Sequence, residues 1–352
     1  MNHEFSKILA AHMARYPDMQ PQDFGKLAFQ SEFGPEHLVT DREMVLGWIK
    51  NEYTQASEDV RTAPESIGNG LCRYHLAAMT DPEREAEILT DLFIRTAKEH
   101  QGSQEGLAER LSCIEALNIP GMSQWLEGYR EKGCPAVHHS GAFNALYHPH
   151  YRLLKQEYAL YFPLIVRITE QLKTGKPVIV AVDGRCGSGK TSVSAMLEKL
   201  FDCNVFHMDD FYRPFEQRSE DWQQIPAGNM DLKRFKEEVL LPARAGKKVL
   251  YRKYDCQHGI LHEAKAYPPK ALTVIDGSYS HHPILAEQYD LKVFLTLSKE
   301  EQARRLRIRE GDYYEIGFVP MWIPMEERYH AAFAIEEYSD LVIDTGSLFS
   351  AE

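Results

Sequence analysis

One segment constrains this chain more than any other. Val178-Ile179-Val180-Ala181-Val182 is an apolar run closed by Asp183, and it leads directly into Gly184-Arg185-Cys186-Gly187-Ser188-Gly189-Lys190-Thr191. A short run of β-branched and small apolar residues suits a strand covered on both faces. The residues after it match G-x-x-x-x-G-K-[ST] in full, and 192–200 continue with a helical pattern. Each part has a physical task. The glycines let the backbone curl until its N–H groups point inward at phosphate oxygens. The start of the helix adds its partial positive charge. The expected cofactor-binding residues are therefore Gly184, Arg185, Cys186, Gly187, Ser188, Gly189, Lys190, Thr191 and Ser192. Lys190 is expected to reach the β- and γ-phosphates, and the Thr191 hydroxyl to ligate Mg²⁺, so ATP and Mg²⁺ are the implied cofactors.

The pattern changes along the chain. Residues 178–182, 204–207, 248–251, 272–275, 291–297 and 341–343 read as strands. Helical patterns at 189–201, 231–245, 298–310 and 325–338 alternate with them, which predicts a mostly parallel sheet covered by helices. The first half reads instead as helical, at 4–15, 36–56, 82–97, 104–117 and 150–172, with Gly34-Pro35, Gly68-Asn69-Gly70 and Pro120-Gly121 as breakers. The expected organisation is a mainly α-helical domain over 1–165 and an α/β P-loop domain over 166–352. A length of 352 residues is comfortable for two domains. The net charge of −12 disfavours nucleic acid as a partner and leaves a small anionic ligand open. No apolar run approaches the ~20 residues of a membrane helix, and Met1-Asn2-His3-Glu4-Phe5 carries no secretory pattern. Six scattered cysteines without a C-x-x-C pair read as free thiols. The expectation is a cytoplasmic protein with a small-molecule substrate and no membrane or nucleic-acid partner. Association into a homo-oligomer is open.

A phosphate loop alone does not separate kinases from other NTPases, but no N-K-x-D guanine signature and no L-S-G-G-Q stretch is present. The next strand ends in His207-Met208-Asp209-Asp210-Phe211-Tyr212. Strand ends at the carboxyl edge of such a sheet face the ligand crevice. Asp209 is therefore the candidate base for an attacking hydroxyl, with Phe211 and Tyr212 as walls for a planar substrate. Asp276 ends another apolar strand and is the candidate acidic residue of the Mg²⁺ shell. Arg305 and Arg309 lie one helical turn apart and could close over phosphates.

From 177 to 345 the chain resembles the uridine kinase and phosphoribulokinase group of P-loop kinases. The D-S-F-Y pattern appears as Asp209-Asp210-Phe211-Tyr212, and the E-G strand end as Asp276-Gly277. The Y-D-F stretch with its downstream His appears as Tyr254-Asp255-Cys256-Gln257-His258. The R-R-x-x-R-D lid pattern appears in part as Arg305-Leu306-Arg307-Ile308-Arg309-Glu310. The resemblance implies transfer of the ATP γ-phosphoryl group to a hydroxyl, most simply that of uridine or cytidine. It implies Asp209, Lys190, Arg305 and Arg309 as catalytic residues, and Tyr254, Asp255 and His258 beside Phe211 and Tyr212 around the acceptor. A sugar, a sugar phosphate or a pantothenate-like acceptor is the nearest alternative. A regulatory P-loop ATPase is another.

The first half carries Glu32, His37, His75, His138 and His139, residue types that ligate metals. They lack a compact ligand spacing, so turn residues and core histidines are the expected reading. Arg73, His75 and His139 offer an anion pocket as an intermediate one.

Overall fold

A computed structural model describes residues 2–35, 41–56 and 62–346. The chain divides into two compact units, one up to Phe162 and one from Pro163.

The first unit is mainly helical. Its helices include His3–Arg15, Pro21–Phe33, Arg42–Gln55, Pro82–Glu99, Gln104–Glu115 and Met122–Glu131. Asp81 caps the Pro82 helix by accepting from the Arg84 N–H, as its Asp-Pro start predicts. The unit also holds a three-stranded antiparallel sheet, β1 (Glu65–Gly68), β2 (Leu71–His75) and β3 (Tyr151–Lys155). This corrects the helical reading of 150–172, which is helical only after 155. Gly68, Asn69 and Gly70, with φ of 83°, 56° and 71°, turn the β1–β2 hairpin, and β3 pairs with β2 from far along the chain. Local propensity cannot reveal that pairing.

Three histidines of this unit sit on two buried carboxylates, Glu65 and Asp23. His12 and His75 lie 3.0 and 3.4 Å from the two oxygens of Glu65. His139 meets Asp23 at 3.1 Å and the Tyr151 hydroxyl at 2.7 Å, and burial pushes it down to about 3 against the pull of Asp23. Arg73 bonds Gln30 at 3.0 Å and lies 3.7 Å from Glu65, and Glu32 pairs with Arg110. Among the described residues no three His, Cys, Asp or Glu side chains converge on a metal position. His37 lies outside the described residues.

The second unit contains β4 (Val178–Gly184), β5 (Cys203–His207), β6 (Val249–Tyr251), β7 (Tyr254–Asp255), β8 (Ile260–Leu261), β9 (Lys265–Tyr267), β10 (Leu272–Asp276), β11 (Leu291–Thr296) and β12 (Leu341–Asp344). Five of these form one parallel sheet in the order β12-β11-β4-β10-β5. Every residue of β4 is buried, which explains its unbroken apolar run. The strand expected at 248–251 exists, but it pairs antiparallel with β9 in a separate ribbon. Among the described residues no helix is long and apolar enough to cross a membrane.

Where β4 ends, backbone space becomes tight. Gly184 has φ of +143°, and a Cβ there would lie 2.2 Å from the Leu295 carbonyl oxygen. Gly184→Ala should therefore lower the denaturant midpoint by an amount equivalent to roughly 2 kcal/mol or more. An unchanged midpoint would show that β4 and β11 do not constrain this turn.

Candidate active site

The carboxyl ends of β4, β5 and β10 converge because the strands are parallel and in register. Asp276 on β10 stands opposite His207 on β5 and Val182 on β4. The Asp276 and His207 side chains bond at 3.0 Å, and that bond raises the His207 pKa above its ordinary value. Around these strand ends lies a cleft of about 970 Å³.

The phosphate loop forms one wall. Its amides divide into two groups. Those of Gly184, Arg185, Cys186 and Ser188 are committed to protein acceptors: Asp183 Oδ1 at 2.7 Å, the Leu295 carbonyl at 3.3 Å, Glu326 Oε2 at 2.8 Å and the Arg185 carbonyl at 3.0 Å. The amides of Gly187, Gly189, Lys190, Thr191 and Ser192 have no acceptor among the described residues. These residues line the cleft, where the helix Lys190–Leu200 begins. A row of unpaired N–H groups at a helix N-terminus is what an oligophosphate requires. Lys190 Nζ bonds the Gly184 and Arg185 carbonyls at 2.7 and 3.2 Å, which sets the ammonium at the base of the loop. The Arg185 side chain turns away to Glu327, Glu336 and Thr296.

The two adjacent aspartates differ. Asp210 is buried and pinned, accepting from the Tyr251 hydroxyl at 2.6 Å and pairing with Lys253 at 2.8 Å. Asp209 faces the cleft, with only a long 3.5 Å contact from the Tyr212 hydroxyl. Desolvation first, and then the neighbouring carboxylates Asp276, Glu326 and Asp210, raise its pKa, with Lys190 opposing. Such a carboxylate is a competent proton acceptor.

Helix Lys299–Glu310 brings Arg305 and Arg309 to the cleft. They differ in freedom. Arg305 bonds the Gly187 carbonyl at 3.3 Å and Thr345, bracing the loop. Arg309 keeps 57% of its side chain exposed, pairing with its neighbour Glu310 and lying over the Phe318 ring. Tyr212, Tyr313, Phe318 and Trp322 add an aromatic wall, with Trp322 Nε1 donating to the Tyr313 hydroxyl at 3.2 Å.

Four expected acceptor residues lie elsewhere. Phe211 is fully buried, 4.9 Å from Phe235 and 5.4 Å from Tyr251, because the short helical turn Met208–Phe211 rotates it into the core. Tyr254, Asp255 and His258 do not line the cleft. They build the β7–β8 ribbon, where Asp255 accepts from the Gln257 and His258 amides at 2.8 and 3.1 Å. Asp255 also meets His258 Nδ1 at 2.8 Å, and that bond lowers its pKa to about 2. Sequence reasoning gave no role to His207, Lys253, Tyr279, Trp322 and Glu326, which line the cleft. His207 could have been found from its place one strand-end before Asp209. Glu326 carries no local signal, since an acidic residue in a first helical turn is ordinary.

No family model matches the chain. Over 141 residues it is 29% identical to nicotinamide riboside kinase 2 from Mus musculus, covering 38% of this chain and 68% of that protein. Among solved structures, that of a possible uridine kinase from Bacillus stearothermophilus aligns over 52% of this chain and 100% of its own, at 18% identity and a TM-score of 0.38. A shikimate kinase from Bacteroides thetaiotaomicron aligns over 49% and 89%, at 12% identity and a TM-score of 0.25.

Within the second unit, neighbours in sequence have opposite surroundings. Phe211→Ala should cost roughly 3 kcal/mol of folding stability and leave acceptor KM unchanged. Tyr212→Ala should do the reverse. Paired denaturation and KM measurements check this, and a selective KM effect at Phe211 would contradict the placement.

Proposed function

We propose that this chain is an ATP-dependent kinase that transfers the γ-phosphoryl group to a hydroxyl of a nucleoside. The observation carrying the reading is the row of five unpaired amides, with Lys190 at its base, facing Asp209 across one cleft. The amides and Lys190 bind the phosphate chain and offset its charge. Thr191 and Asp276 line the same cleft with the hard oxygen donors that Mg²⁺ prefers, so they would hold the ion, which would supply charge neutralisation on the phosphates. Asp209 accepts the proton of the acceptor hydroxyl. That oxygen then bonds to the γ-phosphorus while the bond to the β–γ bridging oxygen breaks and ADP leaves. Arg309, half-exposed at the cleft and paired with Glu310, would turn to the phosphates and stabilise charge on the transferring group.

A nucleoside acceptor is supported by two observations. The aromatic wall of Tyr212, Tyr313, Phe318 and Trp322 suits a flat base, and the relative from Mus musculus is named for a riboside. Uridine, cytidine and nicotinamide riboside are the acceptors to try first, beside sugars, sugar phosphates and pantothenate. The test supplies ATP and Mg²⁺ with this panel and looks for phosphorylated product. ATP hydrolysis with no phosphorylated acceptor would point to a regulatory ATPase and overturn the proposal.

Lys190→Ala should abolish phosphoryl transfer while circular dichroism stays unchanged, because its task is charge balance at the loop. Near-normal turnover would remove the loop from the reaction. Asp209→Asn should keep ATP affinity and lower kcat by roughly 10²-fold. Asp209 works as a base only when ionised and its pKa is raised. Wild-type kcat should therefore fall on acidification through a pKa above the ~3.9 of an ordinary Asp, and the Asn variant should lose this limb.

A further inference from the structure

Both backbone polar groups of one phosphate-loop residue are held from outside the loop. The Cys186 N–H donates to Glu326 Oε2 at 2.8 Å. The Cys186 carbonyl accepts from Gln302 Nε2 at 3.0 Å. Both side chains are buried, with Gln302 4% and Glu326 6% exposed. The other oxygen of Glu326 accepts from the Ser278 hydroxyl, just beyond β10. Gln302 lies on helix Lys299–Glu310 and Glu326 on helix Ile323–Phe333. The stretch between these helices carries Tyr313, Phe318 and Trp322, the aromatic part of the cleft wall.

A buried carboxylate beside a phosphate site needs a reason. Its charge opposes the binding of another anion, and a neutral side chain would fill the space without that cost. Both oxygens of Glu326 already hold donors, so it has no lone role as a proton acceptor. What it supplies is two acceptor oxygens at once, one for the Cys186 amide and one for the Ser278 hydroxyl. The bond to the Cys186 amide matters because the glycines of the loop leave its backbone free to rearrange. Gly187 and Gly189 sit at φ of 80° and 92°, and glycine has the widest backbone freedom of any residue. Binding that must first order a loop is weakened by the ordering.

We propose that Glu326 and Gln302 are positioning residues that clamp the Cys186 backbone, so that the open amides of Gly187, Gly189, Lys190, Thr191 and Ser192 stay aimed at the phosphates. This rests on the kinase reading. It goes beyond that reading by making ATP affinity depend on two side chains that do not themselves touch the phosphates.

The experiment compares Glu326→Ala, Glu326→Gln and Gln302→Leu with wild type, measuring ATP affinity by calorimetry, kcat and the thermal midpoint. Glu326→Ala and Gln302→Leu should each weaken ATP binding by about tenfold or more, the effect of losing a hydrogen bond that leaves a buried peptide group unpaired. Glu326→Gln retains an acceptor for the Cys186 amide and a partner for Ser278, so it should recover most of that affinity. If Glu326→Ala does not fold, the two nearly isosteric variants carry the test. Wild-type ATP affinity in Gln302→Leu and in Glu326→Ala, whatever their midpoints, would overturn the clamp and leave the kinase reading standing. A Glu326→Gln variant as impaired as Glu326→Ala would assign the effect to charge and also overturn it. A wild-type chain that binds no ATP would defeat the kinase reading and the clamp together.

Discussion

The Asp183 carboxylate is the interaction on which the second unit most depends. It is fully buried at the end of the central strand and accepts from three directions. The Gly184 amide donates at 2.7 Å, the His281 amide at 2.9 Å and the Tyr329 hydroxyl at 2.8 Å. These donors come from the phosphate loop, the turn after β10 and the helix Ile323–Phe333. A buried charge is tolerated only where hydrogen bonds replace its lost hydration. Asp183 meets that condition by tying the start of the phosphate loop to two segments about one hundred residues or more away, beneath the strand ends that carry the cleft.

Above that carboxylate the site is built by register. Parallel pairing places Asp276 beside His207, and the turn after β5 presents Asp209 while hiding Phe211. The loop amides split into a structural set, bonded to protein, and a set left open toward the cleft. That division follows from geometry. A loop that must meet an anion can leave only some of its donors unpaired, because buried donors without partners are costly. The difference between Asp209 and Asp210 has the same origin. Tyr251 and Lys253 occupy one carboxylate, and the other is left to titrate among like charges.

Much of this was legible in the residues. The apolar strand, the glycine spacing of the loop and the helix after it each have a local cause, and they stand where the pattern indicates. So do the strand ends carrying Asp209 and Asp276. The acceptor side was less legible. Tyr254, Asp255 and His258 sit together in sequence in a way that suggests a pocket, yet Asp255 and His258 bond each other and Tyr254 pairs with Leu261 in a short ribbon. Phe211 and Tyr212 are adjacent and similar, and only the rotation of one helical turn separates core from cleft. In the first unit β3 was read as helix because its partner strand is about eighty residues away.

By itself the sequence determined the covered parallel strand, the phosphate loop at its end and the carboxylates at neighbouring strand ends. Those features depend on side-chain alternation, glycine freedom and strand polarity, all of which act within a few residues. Only the tertiary structure decided which loop amides remain open, which of two adjacent aspartates is pinned, and that Glu326 and Gln302 grip Cys186 from two helices more than one hundred residues away. Those outcomes depend on which distant donor or acceptor arrives within about 3 Å, and hydrogen bonding is too short-ranged for spacing along the chain to show that.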